Sequence, residues 1–210
     1  MNKATIAVVV AVAGAFVAAG WSQDARGWQP VPGRLMTSWG KEVTPGNAWR
    51  EYPRPQMARE KWLNLNGLWS YAVTAADAPE PRDFTGAILV PYPIESALSG
   101  VGVPLEPGQR LWHRRNVTIP ADWKGQRVQL NFGAVDWSMQ AWVNGKSVGT
   151  HTGGYDPFSF DITSALHAGE NTLTVAASDP TDTGGQPRGK QWLKPQGIWY
   201  TRTSGIWQTV

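Results

Sequence analysis

Between Ser138 and Val148 the chain reads SMQAWVNGKSV, two strand-like runs around Asn144-Gly145. That dipeptide favours a type I′ turn, because both central residues of the turn need positive φ and Asn and Gly adopt it at low cost. The middle of the chain is thereby committed to antiparallel pairing, and the flanking sequence from Trp62 onward keeps the same habit. Leu68-Trp-Ser-Tyr-Ala-Val73 places Trp69, Tyr71 and Val73 on one face. Ala87 to Val90 is a short apolar run closed by Pro91, and Trp112 to Ile119 is a longer strand ended by Pro120. Arg127 to Phe132 alternates with Val128, Leu130 and Phe132 inward, and Phe158, Phe160 and Ile162 alternate in turn. Asp161 is placed to cap the short helical turn ITSAL. Thr172 to Ala177 is a further strand, and Ile206 to Val210 begins a last one whose sheet edge stands open. Marginal stability is the expectation that follows. Short strands with almost no helical period predict an all-β fold, an antiparallel β-sandwich or jelly roll, over residues 61–210.

Composition agrees. The chain has 210 residues, 41% apolar and 17% charged, with 13 Trp, 23 Gly and 16 Pro, which fits one globular domain whose loops carry much of the chain. A formal charge of +3 with scattered basic residues argues against a nucleic-acid partner. The absence of cysteine removes disulfides, thiolate metal sites and a Cys nucleophile. The N-terminus carries an address. Met1-Asn-Lys3 is a short positive start, Ile6 to Val17 is apolar or small, and Ala18-Ala19-Gly20 offers a cleavage site. That pattern predicts a signal peptide over residues 1–20 and a secreted or periplasmic protein, free of the membrane once cleaved. Residues 21–60, rich in Pro, Gly and Arg, read as an extended lead-in over the domain surface.

The stretch TGGQPRGKQ, Thr183 to Gln191, lies one residue from a phosphate-binding loop. Such a loop needs a Ser or Thr where Gln191 stands and a helix where Pro195 and Gly197 follow. The nucleotide reading fails on both counts. The segment reads instead as a long excursion between strands, with Arg188, Lys190, Gln191, Trp192 and Gln196 available to a ligand.

Paired-carboxylate catalysis needs two acids close across a sugar, and most of the acids here fall at turns or strand ends. Asp122, Asp156, Asp161 and Glu170 are of that kind. Glu95 in PYPIESALSG and Asp136 in AVDWS are better placed for a site, each following an apolar run. Asp179 and Asp182 flank Pro180, where an Asx-turn is a simpler role than cation binding. His113, His151 and His167 show no metal-ligand spacing, and no serine sits in a nucleophile elbow, so neither a metal, a cofactor nor serine catalysis is expected. Tryptophan is what the chain has in excess. Trp137, Trp192, Trp199 and Trp207 lie in or beside loops, where an indole suits the C–H face and hydroxyl rim of a sugar. Trp69, Trp112, Trp142 and Trp207 read better as core or domain-interface anchors.

The segments EYPRPQMAREKWLNLNGLWSYAV, VPYPIESALSG, VDWSMQAWVNGKSVGTHTGGYDPFSFDIT, LHAGENTLTV and PQGIWYTRTSGIWQTV, from about Arg34 to Val210, resemble the N-terminal sugar-binding domain of family 2 glycoside hydrolases. That group includes β-galactosidases, β-glucuronidases and β-mannosidases. The resemblance implies a galactose-binding-domain-like jelly roll that precedes an immunoglobulin-like domain and a TIM barrel, the barrel carrying both catalytic glutamates. It therefore implies no catalytic residue in this chain, with a β-glycoside and the downstream domains as partners. In the family a loop of this domain lends an aspartate to the barrel just before the GI motif. Trp199 holds that slot here, with Gln196 beside it. An asparagine of the family's VPSN-like segment is matched by Tyr92-Pro93, with Glu95 nearby. The residues so implied to meet substrate are Glu95, Asp136, Trp137, Gln196 and Trp199. A free-standing carbohydrate-binding module and a purely structural interaction domain are the alternatives.

Overall fold

A computed structural model describes residues 27–51 and 59–210. The expected signal peptide and part of the lead-in, including YPRPQMA, lie outside the described residues. Among the described residues twelve strands form: β1 (Gly67–Ala75), β2 (Gly86–Val90), β3 (Gln109–Thr118), β4 (Gln129–Phe132), β5 (Val135–Asp136), β6 (Ser138–Val143), β7 (Lys146–Thr152), β8 (Phe158–Asp161), β9 (Glu170–Ser178), β10 (Gln191–Trp192), β11 (Tyr200–Thr201) and β12 (Gly205–Ile206). Six of them make one sheet in the order β2-β1-β3-β9-β6-β7, antiparallel throughout. The pairs β4–β8 and β5–β12 face it as the second layer. The one parallel pairing among the described residues is β10–β11, two residues long and inside a loop.

The core lies between the layers. Trp69, Ile88, Leu111 and Val175 from the large sheet meet Leu130, Phe132, Val135 and Ile206 from the small one, all nearly or fully buried. Period-2 alternation produces this, since each strand sends every second side chain inward. The hairpin forms as its turn residues require, with φ of 52° at Asn144 and 76° at Gly145. A bulge opposite Ala141 and Trp142 is taken up in β7, where Val148 falls between the partners Ser147 and Gly149. The N-cap of the 3-10 turn Thr163–Ala165 is Ile162 rather than the expected Asp161, which stands one residue before it and makes an Asx-turn, its Oδ1 accepting from the Thr163 amide at 3.0 Å.

Further expectations are corrected or refined. Val73 shares the Trp69 face but stands 39% exposed, because β1 runs past the edge of the core there. Of the expected anchors, Trp112 and Trp142 belong to a separate apolar cluster rather than to the layer between the sheets. They stack at 5.6 Å on the opposite face of the large sheet, among Ala72, Ala176 and Phe84, and Trp112 is buried there. The last strand is shorter than Ile206 to Val210. Beyond Ile206 the backbone bends, yet it stays pinned, since the Leu65 amide donates to the Val210 carbonyl at 2.9 Å and the Gly133 amide to Thr209 O at 2.8 Å. Beside it an apolar groove of about 840 Å³ opens between the layers, walled by Leu63, Leu65, Val117, Leu130, Phe132 and Val210.

Candidate functional site

The long excursion runs from Asp179, just after β9, to Ser204, just before β12, and a buried polar junction roots it in the sandwich. Asp179 ties its two ends together. Its Oδ1 accepts from the Thr181 amide at 2.7 Å and its Oδ2 from the Ser204 hydroxyl at 2.8 Å. Glu95, on the connection after β2, accepts from the Ser204 amide at 3.0 Å and from the Leu105 amide at 3.2 Å. Arg202 Nε lies 3.9 Å from Glu95 Oε1, while the other side of its guanidinium pairs with Glu106 at 2.5 Å. Gln191, at the start of β10, is the central link. Its amide nitrogen donates to Asp136 Oδ2 at 3.2 Å and to the Tyr155 hydroxyl at 3.1 Å, and its Oε1 accepts from the Thr203 amide at 2.5 Å. Buried polar groups are tolerated only when partnered, so this network fixes where the loop leaves and re-enters the fold.

Three carboxylates from three chain segments, Glu95, Asp136 and Asp179, thus meet under the loop, each less than a tenth exposed. Burial first, then the neighbouring Asp179 and Glu95, push the Asp136 carboxyl up to about 7, with the Gln191 amide pulling against them. Burial also raises Glu95, while the amides of Ser204 and Leu105 hold it back. The chain leaves no room to spare: a Cβ at Gly154 would stand 2.7 Å from the Asp136 carboxyl.

Above this root the loop presents aromatic and polar groups to solvent. Trp192 and Trp199 meet edge to face, their ring centroids 4.5 Å apart. The Arg188 guanidinium sits 5.9 Å from the Trp192 ring, and its Nη1 donates to Asp182 O at 2.9 Å. Tyr200 reaches back so that its hydroxyl accepts from the Lys190 amide at 3.3 Å. Ile198 and Tyr200 are 67% and 53% exposed. Gln196 is exposed, and its carbonyl accepts from the Trp199 amide at 3.0 Å, closing the tip. Indole faces flanked by an amide, a guanidinium and lysines match the alternating apolar and hydroxyl surfaces of a pyranose ring.

The five residues picked from the sequence therefore fall at two levels. Gln196 and Trp199 are on the crest, with Trp199 half-buried against Trp192. Trp137 is half-buried where β5 passes to β6, and Glu95 and Asp136 lie beneath, Glu95 accepting through both oxygens and Asp136 through Oδ2. No helix starts at Lys190: residues 188–190 turn and β10 follows at Gln191, so the phosphate-loop reading stays excluded. Asp179 makes the expected Asx-turn to Thr181. Among the described residues no group of three or more His, Asp or Glu side chains is arranged to hold a metal ion. Sequence reasoning passed over Arg202 and Ser204. Their partners Glu95 and Glu106 lie about a hundred residues upstream, so no local pattern announces them.

Comparison with known proteins agrees with this fold. Residues 54–210 match the family described as "Glycosyl hydrolases family 2, sugar binding domain". A β-galactosidase of Priestia megaterium is 29% identical over 156 residues, covering 74% of this chain and 14% of that protein. The β-glucuronidase of Felis catus is 30% identical over 171 residues, covering 66% of this chain and 26% of that protein. Among solved structures, the Faecalibacterium prausnitzii β-glucuronidase has 32% identity and a TM-score of 0.50, over 61% of this chain and 22% of its own. The chain thus spans about a quarter or less of the length of these relatives. With the match running through both the sandwich and the rooted loop, the chain belongs to the family 2 glycoside hydrolases, and residues 54–210 are its sugar-binding domain.

Proposed function

We propose that this domain forms the N-terminal part of a secreted retaining β-glycosidase and that its long loop contributes aromatic surface to the sugar subsite. The catalytic carboxylates belong to a barrel outside this chain, where one acts as nucleophile and the other as acid and base in a double displacement. The observation that carries the reading is the half-buried Trp192–Trp199 pair, edge to face on a loop whose base is buried in a polar network. A sandwich that needed this segment only as a connection would not invest Asp179, Gln191, Arg202 and Ser204 in its root. Glu95 supports the loop, since the Leu105 and Ser204 amides already occupy its two oxygens. The apolar groove beside Val210 supports the other half of the reading, a domain that packs against further polypeptide of its parent.

The test is calorimetric titration of the chain with methyl β-galactoside and methyl β-glucuronide. Trp199→Ala is expected to weaken whichever binds by about fivefold, the loss of one aromatic face being worth roughly 1 kcal/mol. The same variant is expected to leave the thermal midpoint nearly unchanged, because Trp199 packs on the loop rather than in the core. Unchanged affinity in Trp199→Ala would remove the loop from the sugar site.

A further inference from the structure

A second aromatic hollow lies on the lead-in, built from residues 39–51 and the turn after β2. Trp39, Trp49 and Tyr92 form its apolar walls, Glu42 and Glu51 supply carboxylates, and Val43 and Asn47 complete it, around a volume of about 400 Å³. That volume falls in the range of roughly 300–1,000 Å³ usual for small-molecule sites. Trp39 and Trp49 are 76% and 62% exposed, which is costly for two large indoles.

The hollow is built rather than accidental. Trp49 holds a left-handed φ of 46°, and its carbonyl accepts from the side-chain amides of Asn64 at 2.9 Å and Asn66 at 2.8 Å. Its indole N–H donates to the Tyr92 hydroxyl, joining two of the walls. Tyr92 is set in turn by its amide, which donates to Leu89 O at 3.0 Å. Below Trp39, the Asn47 side chain accepts from the Thr44 amide at 2.6 Å and donates to Glu42 O at 2.9 Å, fixing the turn that carries Glu42. The aromatic faces are thus presented in a fixed geometry with acceptors around them.

The chemistry of the lining selects the ligand. Ring faces stack on C–H surfaces, and carboxylates accept hydrogen bonds from hydroxyl or ammonium groups. Among the described lining residues there are two acids and no cation, so a uronate or phosphate would meet repulsion without compensation. We infer that this hollow is a second saccharide site, distinct from the Trp192–Trp199 loop, that takes a sugar unit bearing no negative charge. Neutral and amino sugars share the required chemistry.

Titration of the chain with cellobiose, chitosan disaccharide and methyl β-glucuronide, followed by tryptophan fluorescence, tests it. Cellobiose or the amino sugar is expected to bind, the glucuronide is not expected to compete, and Trp39→Ala is expected to weaken binding by tenfold or more. Trp39 makes no packing contact the fold depends on, so this variant should remain folded; Glu51→Gln provides a second, isosteric check with a smaller loss. Binding that survives Trp39→Ala but disappears in Trp199→Ala would overturn the second site and leave the loop reading intact. Binding lost in Trp39→Ala and untouched by Trp199→Ala would support the second site and leave the loop to its own titration. Absence of binding by all uncharged and amino sugars would overturn the inference outright.

Discussion

Glu95→Ala is expected to destabilise the chain by about 3–5 kcal/mol, the usual cost of removing one partner of a buried ion pair. The Glu95 carboxylate is 4% exposed and accepts from two buried amides, those of Ser204 and Leu105. Truncation orphans both donors and leaves the 3%-exposed Arg202 side chain with only its Glu106 partner. Because Glu106 still holds one side of the guanidinium, the lower end of the range is expected. Against a total stability of roughly 5–15 kcal/mol, this is a large fraction. Glu95→Gln keeps an acceptor of the same shape and should lose less. Urea unfolding followed by circular dichroism measures both, and a loss below about 1 kcal/mol in Glu95→Ala would mean that the junction does not hold the loop.

Asp136→Asn is expected to change how stability depends on pH, and to be stabilising in alkali. The folded-state pKa of Asp136 is raised from 3.8 to about 7, so the folded protein holds its proton more tightly than the unfolded one. The associated stability is fully present below pH 4 and is lost as pH rises through 7. At 1.36 kcal/mol per unit the swing is on the order of 4 kcal/mol. His113 runs the other way. Burial lowers it from 6.5 to about 3, so its contribution is present above pH 6.5 and lost as pH falls toward 3. Between about pH 4 and 6.5 the two offset each other and hide in the wild-type curve. The difference between wild type and Asp136→Asn isolates one of them. It should be near zero at pH 4, favour Asn progressively through pH 6, and level off above pH 7. A difference independent of pH would show that Asp136 is ionised throughout and that the carboxylates under the loop do not repel.

Much of this architecture was legible in the chain because it rests on local rules. The Asn144-Gly145 turn, the alternation at Val128, Leu130 and Phe132, and the short helical turn after Asp161 each follow from residues within a few positions of one another. Trp142 was ambiguous for an equally physical reason. Alternation tells which residues share a face but not which face is inward, and both faces of the large sheet carry tryptophan. Of the loop, its length, its aromatic content and the failure of the phosphate motif could be read directly. Its root could not. Gln191 reaches Asp136, 55 positions away, and Ser204 reaches Glu95, 109 positions away, so the side chains looked like ligand contacts until the fold brought them together. Glu95 and Asp136 stood out as unusual acids for a sound reason, and their burial turns that signal into one about the loop's foundation.

The indole N–H signals of the tryptophans, recorded by ¹H–¹⁵N correlation while methyl β-galactoside or methyl β-glucuronide is added, test most directly whether the rooted loop meets sugar. Trp192 and Trp199 are expected to shift together and saturate with one constant, while the buried Trp69 and Trp112 stay fixed. Signals of Trp192 and Trp199 that remain still as bound sugar perturbs indoles elsewhere would contradict the account.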